Sequence, residues 1–374
     1  MENKPRIAIL VPGGIGKDDN IPSLLHLICR IAVSYDVSMY SFSRLTPHSL
    51  LTSNLCSISF PPDILGRNNF LKAVYFFWRI RRDHAQRKFS IVQGFWIMSQ
   101  GIVAVLAGKL MRVPSVVSLL GGDAVYLPSI RYGGLRNGFY RKIIQWCIGE
   151  ADRVTVLTNF QQRTMGANGV VSKHVSIIPF GVDTPKFVFQ PHTLSEPIRF
   201  SYIGNLNKVK DPFTLIKVFS LLVRKINCTL TVVGPDILNG QAHKFASMLG
   251  INDKIQWRGK VPHDAIPSIL QETNFLLLTS LFEGEAVVVM EAFASGAVVV
   301  GTNVGMLADI GDDRVVVTPG DAEGLAEKIE KLIAQPLVIR EMQSANRALA
   351  EKYTAEWTWS EYKKLYEELL KGKQ

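Results

Sequence analysis

The stretch FLLLTSLFEGEAVVVMEAFASGAVVVGT, residues 275–302, indicates the fold class of this chain. It starts with an apolar strand pattern over 275–280, turns at Gly284, continues as a helix from Ala286 and ends in a second strand pattern over 297–302. A strand, a helix and a strand in this order form a βαβ unit, and the crossover helix makes the two strands parallel. We therefore expect a parallel sheet covered by helices.

The same alternation extends along most of the chain. Before residue 160 the strand-like runs are RIAILV (6–11), DVSMYSF (36–42), SIVQGF (90–95), SVVSLL (115–120) and RVTVLT (153–158), and helical patterns lie at 21–34, 67–88 and 99–111. After it they are RFSYIG (199–204), CTLTVVG (228–234), KIQWRG (254–259), FLLLTS (275–280), AVVVGT (297–302) and VVVTPG (315–320). A proline-rich stretch without periodicity, 179–197, separates the two series. The pattern predicts an α/β protein with two Rossmann-like, doubly wound parallel-sheet domains facing a cleft.

Composition and charge narrow the classes of partner. The 374 residues suit two domains, and the net charge of +10 is unevenly placed: residues 1–183 hold 21 Lys+Arg and 10 Asp+Glu, whereas 184–374 hold 21 and 22. Such a basic half favours phosphates, nucleic acid or an anionic membrane, and charge alone does not choose among them. The first residues lack the pattern of a signal peptide. The four cysteines are scattered, with no C-x-x-C pair or zinc spacing, and are expected to be reduced core residues. We expect a cytoplasmic protein.

A glycine turn follows the first strand, in the sequence Val11-Pro12-Gly13-Gly14-Ile15-Gly16. Backbone N–H groups at such a turn can contact a phosphate, which makes Gly14 a candidate donor-binding residue. A plain strand-to-helix turn is the alternative. The dinucleotide fingerprint fails because residue 19 is Asp, and the P-loop fails because Lys17 precedes Asp18. This pattern disfavours an NAD-dependent oxidoreductase.

The turn at Gly284 carries the stronger chemical signal. Two acids, Glu283 and Glu285, flank the glycine, and the helix that opens at Ala286 and Val287 offers unpaired N–H groups and a positive dipole end. Both properties suit a diphosphate. Glu291 lies inside the helix among apolar residues, where a carboxylate needs hydrogen-bond donors such as ligand hydroxyls. A surface glutamate on an amphipathic helix remains the alternative.

Several motifs in order resemble family four of the retaining glycosyltransferases, which have the GT-B fold. Glu283 and Glu291 stand at the E-x7-E spacing of that family. The other similar segments are Ile178–Asp183 (IPFGVD), Ile203–Asp211 (IGNLNKVKD), Val232–Gly234 (VVG), Gly296–Val300 (GAVVV) and Val304-Gly305. The resemblance covers nearly the whole chain and is tightest over 199–310.

The resemblance implies a role for each matching residue. Glu291 is expected to bind the ribose hydroxyls, Glu283 the hydroxyls of the donor sugar, and Lys210 the diphosphate. A solvated surface lysine is the alternative for Lys210. The segment around Arg258 is expected to contact the base. With Gly14, the candidate donor-binding residues are Asn205, Lys210, Arg258, Glu283, Glu285, Ala286, Val287 and Glu291, and the candidate catalytic residues are Glu283, Asp123 and Lys210.

The sequence also departs from the family pattern. Asn205 stands where the family has arginine, Gly284-Glu285-Ala286 replaces Gly-Phe-Gly, and Leu120 replaces the histidine of an H-G-x-D motif. The aspartate of that motif is Asp123, a candidate contact of the acceptor or the donor sugar, with a turn cap as the alternative.

The function that the resemblance implies is retaining transfer of a hexose from a nucleotide sugar, with UDP-sugars favoured by family frequency. The acceptor is expected to be a glycan or lipid-linked compound of the cell-surface polysaccharide type, with no nucleic acid, cofactor or metal involved. Residues 1–183 are assigned to the acceptor and 184–350 to the donor, and 351–374 to a helix that returns to the first domain. A GT-B nucleotide-sugar epimerase and a non-catalytic sugar-nucleotide binder remain alternatives.

A basic aromatic helix in the first half concerns the acceptor side. Residues 70–88 contain Phe70, Tyr75, Phe76, Phe77 and Trp78 among six basic residues. Such a helix can rest on an anionic bilayer, which would place the protein peripherally at the inner face of the membrane. The alternative is a helix packed in the core with a solvated charged end.

Overall fold

The computed structural model describes residues 4–13, 21–43, 56–191 and 193–372. The chain divides into two compact units. The first unit comprises residues 1–180 together with 355–374, and the second unit comprises 181–354. Each unit contains one parallel sheet.

The first unit contains a seven-stranded sheet in the described part of the chain, with the strand order β3-β2-β1-β4-β5-β6-β7. The strands are β1 Arg6–Val11, β2 Asp36–Ser41, β3 Cys56–Ser59, β4 Ile91–Phe95, β5 Ser115–Ser118, β6 Arg153–Val156 and β7 Val175–Ile177. The helices are α1 Pro22–Ser34, α2 Asn69–Gln86, α3 Ile102–Met111, α4 Gly138–Glu150, α5 Asn159–Ala167 and the C-terminal α13 Ala355–Lys371.

Local sequence explains why these elements begin and pack as they do. The apolar run of β1 is buried from Ile7 to Val11, as expected for a central strand covered on both faces. The side chain of Asn68 accepts hydrogen bonds from the first turn of α2, and Asn137 does the same for α4. Phe76 and Ile80 are fully buried, so α2 is amphipathic and packs one side against the sheet.

The C-terminal helix belongs to the first unit. In α13, the Tyr362 hydroxyl lies 3.0 Å from Ser118 Oγ, and the Tyr366 hydroxyl donates to Gln93 Oε1 at 3.3 Å. Both tyrosines are buried. These contacts join residues more than 240 positions apart and hold helix α13 against β4 and β5.

The second unit contains a six-stranded sheet in the order β10-β9-β8-β11-β12-β13 within its described residues. The strands are β8 Ile198–Ile203, β9 Cys228–Val233, β10 Ile255–Gly259, β11 Phe275–Leu278, β12 Val298–Thr302 and β13 Val316–Val317. The helices are α6 Pro212–Leu222, α7 Gln241–Met248, α8 Ile266–Gln271, α9 Val287–Ser295, α10 Gly305–Ile310, α11 Ala322–Ile333 and α12 Pro336–Lys352.

The carboxyl ends of these parallel strands lie at the same end of the sheet, where ligands bind in open α/β folds. Gly204 follows β8 and Gly234 follows β9 at this C-terminal end of the sheet. A Cβ added to Gly234 would lie 2.0 Å from the Gly204 carbonyl oxygen, so only glycine allows the two turns to approach so closely.

The structure contains every strand that the alternation predicts, with ends that differ by up to three residues. It adds β3 and β7, which the sequence pattern missed. Both are short, and the residues of β7 are only partly buried, so neither forms an apolar run that stands out from its flanks.

Candidate functional site

A lysine and a glutamate from two adjacent strand ends form an ion pair in the second unit. Lys210 ends a short 3-10 turn after β8, and Glu283 follows β11, which neighbours β8 in the sheet. Lys210 Nζ donates to Glu283 Oε1 at 2.6 Å, and Ser280 Oγ donates to the same oxygen at 2.5 Å. The Glu283 residue is only 8 % exposed. A carboxylate this buried needs both donors, so the pair is a defined structural feature.

The loop between Glu283 and α9 is tightly held. Ala286 has the left-handed backbone conformation, with φ 68° and ψ 75°, and provides no side-chain cap to α9. The Met306 backbone N–H donates to the Glu285 carbonyl oxygen at 2.9 Å. A Cβ on Gly305 would lie 2.6 Å from that oxygen and 2.8 Å from Glu283 Cβ. Because Gly305 lacks a side chain, α10 can pack directly against the loop.

Glu291 lies in the second turn of α9 and is 7 % exposed. Its Oε1 lies 2.7 Å from His263 Nε2. The other ring nitrogen of His263, Nδ1, lies 2.8 Å from Lys186 Nζ, which also donates to Asp264 Oδ1 at 2.7 Å. The buried Glu291 carboxylate therefore contacts His263, and His263 in turn contacts Lys186.

The remaining predicted donor residues occupy different environments. Asn205 follows β8, and its carbonyl oxygen accepts from the buried Tyr202 hydroxyl at 3.1 Å. Arg258 is exposed on β10, the edge strand of the sheet. Val287 is the first residue of α9. Gly14 lies outside the described residues.

Asp123 lies in the first unit, where burial raises the pKa of its carboxyl from the usual 3.8 to about 7. A hydrogen bond from the Ile97 backbone N–H opposes this shift in part. Its Oδ2 is buried and has no hydrogen-bond partner within the described ranges. Near neutral pH the group therefore exists both as an acid and as a carboxylate.

Sequence reasoning missed three residues of this arrangement, Ser280, His263 and Lys186. Ser280 precedes Glu283 by three positions in the motif, which was a usable signal. His263 comes shortly after the end of β10, where a polar residue can lie at the ligand-binding end of the sheet. No pattern in the neighbouring sequence links it to Glu291. Among the described residues, no group of three or more His, Cys, Asp or Glu side chains is placed to hold a metal ion.

Two family models match this chain. The model described as "Glycosyl transferases group 1" matches residues 183–351, and the model described as "Glycosyl transferase 4-like domain" matches residues 43–181. Together they match well over half of the chain.

Individual proteins are similar to it over much of their length. The chain is 26 % identical to N-acetyl-alpha-D-glucosaminyl L-malate synthase of Bacillus anthracis, over 77 % of each chain. It is 22 % identical to 2-deoxystreptamine glucosyltransferase of Streptomyces kanamyceticus, over 69 % of this chain and 70 % of that one. The solved structure of Anabaena Alr3699/HepE in complex with UDP-glucose superposes with a TM-score of 0.77 at 16 % identity, covering 97 % of this chain and 99 % of the other. The predicted GT-B class, with two Rossmann-like parallel-sheet domains, is confirmed.

Proposed function

Because the chain belongs to the group 1 glycosyl transferases of family four and is a glycosyltransferase, we propose that it transfers a hexose from a nucleotide sugar to a glycan or lipid-linked acceptor. UDP-sugars are the first candidates for the donor, supported by the structural similarity to a protein solved with UDP-glucose. The first unit would hold the acceptor and the second unit the donor. The role in cell-surface polysaccharide synthesis is part of the same proposal.

The observation that carries the proposal is the partly buried Lys210–Glu283 pair beside the uncapped start of α9, with Glu291 eight residues after Glu283. Lys210 would bind the diphosphate together with the N–H groups of the first turn of α9. Glu283 would accept hydrogen bonds from hydroxyls of the donor sugar, and Glu291 would do so from the ribose. Ligand hydroxyls are suitable partners for carboxylates that are so little exposed.

We propose a retaining reaction that needs no metal. The bond between the anomeric carbon and the phosphate oxygen breaks while the acceptor oxygen bonds to the same face of that carbon. The acceptor proton passes to an oxygen of the departing phosphate, and the products are the glycoside and the nucleoside diphosphate. The Lys210 ammonium and the amides of α9 would stabilise the negative charge that develops on the leaving group.

Nucleotide-sugar binding is tested first, by thermal shift with UDP-, GDP- and ADP-hexoses. A ligand that binds only the folded protein raises the melting temperature. We expect one donor class to stabilise the wild type and the Lys208→Met variant, and to have little effect on Lys210→Met. Lys208 is the matched control because it is exposed in the same turn. If no sugar nucleotide raises the melting temperature of the wild type, the proposal is wrong.

The reaction is tested with the stabilising donor alone, in NMR experiments with and without EDTA. Slow hydrolysis, with water in place of the acceptor, should release the α-hexose first from an α-linked donor, and EDTA should not stop it. Release of the β-hexose contradicts retention, and loss of activity in EDTA with rescue by Mg²⁺ or Mn²⁺ contradicts the metal-free mechanism. Formation of a new sugar nucleotide would identify an epimerase instead.

The third part of the proposal concerns a face of the first unit that contacts a membrane. This face includes the basic aromatic helix α2 and two neighbouring helices, α3 and α4. Helix α2 packs beside α3, and α3 beside α4, so their solvent-facing sides adjoin. These sides, here called the basic apolar face, expose the large apolar residues Phe70, Val74 and Trp78 of α2, Leu106 and Leu110 of α3, and Phe139 and Trp146 of α4. Exposed basic residues accompany them, among them Arg67, Arg81, Arg82, Arg136 and Lys142.

One side of α2 packs in the core, as the core-packed interpretation of this helix requires, and the other side is exposed, as contact with a bilayer requires. Phe76 is fully buried in the core, whereas Phe70 is 74 % exposed and Trp78 is 54 % exposed. Exposed apolar groups of this size on adjoining helices are typical of an interaction site. The accompanying positive charge complements anionic lipid, so we propose that this face rests on an anionic bilayer. No helix in the described part of the chain is long and apolar enough to cross a bilayer.

Co-sedimentation with phosphatidylglycerol vesicles tests this surface. We expect binding at low salt that falls as salt screens the charges, and that weakens in the Arg81→Ser/Arg82→Ser double variant. The Arg224→Ser/Arg340→Ser variant loses the same charge from exposed positions of the second unit and should bind like the wild type. If the wild type stays in the supernatant at low salt, the membrane proposal is wrong.

A further inference from the structure

We infer that His263 is a positioning residue for Glu291, and that Lys186 holds its imidazole in the tautomer that this role needs. The inference rests on the proposed function, because it assigns Glu291 to the nucleotide. His263 and Lys186 lie outside the E-x7-E motif and together determine how the Glu291 carboxylate is oriented.

The hydrogen-bond chemistry of the three side chains specifies the tautomer. The Lys186 ammonium can only donate, so His263 Nδ1, 2.8 Å away, must accept. The Glu291 carboxylate can only accept when ionised, so His263 Nε2, 2.7 Å away, must carry the hydrogen. A neutral imidazole protonated at Nε2 satisfies both contacts. An imidazolium would point an N–H at the ammonium and lose the Lys186 contact.

The surroundings restrict the ring to this orientation. The side chain of His263 is 21 % exposed and that of Glu291 is 9 % exposed. The ring of Phe187 packs against the imidazole with a centroid distance of 5.8 Å. Asp264 accepts from the same ammonium at 2.7 Å and thereby keeps Lys186 in place. Among the described residues, the charged groups in hydrogen-bond contact with His263 are Glu291 and Lys186, and Asp264 contacts Lys186.

The consequence for binding follows from the geometry of the carboxylate. His263 occupies one side of Glu291 Oε1, which limits rotation of the carboxylate and leaves Oε2 available for a ribose hydroxyl. A carboxylate that is already oriented loses less conformational freedom when the ligand binds. The three residues come from the segment before β8, the turn after β10 and the body of α9, so the arrangement exists only in the folded second unit.

Calorimetric titration with UDP tests the inference through two His263 variants. His263→Phe keeps the ring volume beside Phe187 but cannot donate, and we expect affinity for UDP to fall about tenfold, the size of one hydrogen bond to a charged group. His263→Gln places an amide N–H near the position of Nε2 and should restore most of the affinity. Lys186→Met should weaken binding about threefold, because the imidazole could then also carry its hydrogen on Nδ1 and so fail to donate to Glu291. Lys225→Met is the matched control, because Lys225 pairs with Glu330 at the surface of the same unit, and this variant should bind like the wild type.

A second ligand separates positioning from a general structural role. The analogue 2′,3′-dideoxy-UDP lacks the hydroxyls that Glu291 would bind, so the wild type and His263→Phe should bind it equally. If His263→Phe binds UDP as tightly as the wild type, or loses the same factor for both ligands, the inference is wrong and the proposed donor remains. If the wild type itself fails to bind UDP, both the proposed UDP donor and the inference are overturned.

Discussion

Replacing Asp123 by Asn should change how the stability of the first unit depends on pH. In the folded protein burial raises the pKa of this carboxyl from 3.8 to about 7, and Oδ2 has no hydrogen-bond partner within the described residues. Between these two values the folded state binds more protons than the unfolded state. The free energy of unfolding therefore falls as the pH rises through that window. Asn has nearly the same shape and cannot ionise.

The size of the effect follows from the shift in pKa. Each unit corresponds to about 1.4 kcal/mol, and most of the penalty accumulates before the folded group ionises near pH 7. Between pH 5 and pH 8 the stability of Asp123→Asn should rise by about 2.5 kcal/mol relative to the wild type. The sign is opposite to that of a carboxylate stabilised by an ion pair.

Scanning calorimetry at pH 5, 6, 7 and 8 measures this difference. The exposed Asp63 of the same unit provides the control, because Asp63→Asn removes the same charge without changing a buried group. A difference between Asp123→Asn and wild type that stays constant from pH 5 to pH 8 would refute the reasoning.

Three further predictions concern the second unit. Glu291→Ala should weaken binding of the nucleoside diphosphate by about 1.5–3 kcal/mol, the value of a hydrogen bond to a charged group, and unchanged affinity in calorimetry would contradict the ribose role. Asn205→Arg should tighten binding about fivefold by returning a cation beside the diphosphate, with a gain that shrinks in high salt, and salt-independent affinity would rule out a charge effect. Gly305→Ala should destabilise the unit by about 1–3 kcal/mol more than Gly311→Ala in urea unfolding. Both glycines have positive φ, +56° and +66°, but only the Cβ at 305 would crowd Glu283, so equal losses would show that crowding is unimportant.

The sequence alone was sufficient for the fold class. Alternation of strand and helix patterns is a local property, because each run of apolar residues reports which of its own faces is buried. The placement of Glu283 on the turn and of Glu291 on the helix that follows was equally accessible, since only seven residues of sequence separate them. Capping by Asn68 and the glycine turns at strand ends belong to the same class of local signal.

Tertiary structure decided the contacts of those residues. Lys210 meets Glu283 across 73 positions of sequence because β8 and β11 are neighbours in the sheet. His263 meets Glu291, and Lys186 meets His263, only when the turn after β10, helix α9 and the segment before β8 have folded together. Strand order depends on the packing of the whole sheet, and no local pattern encodes it. The sequence therefore determined which groups are available to the site, and the order of the strands determined which of them touch.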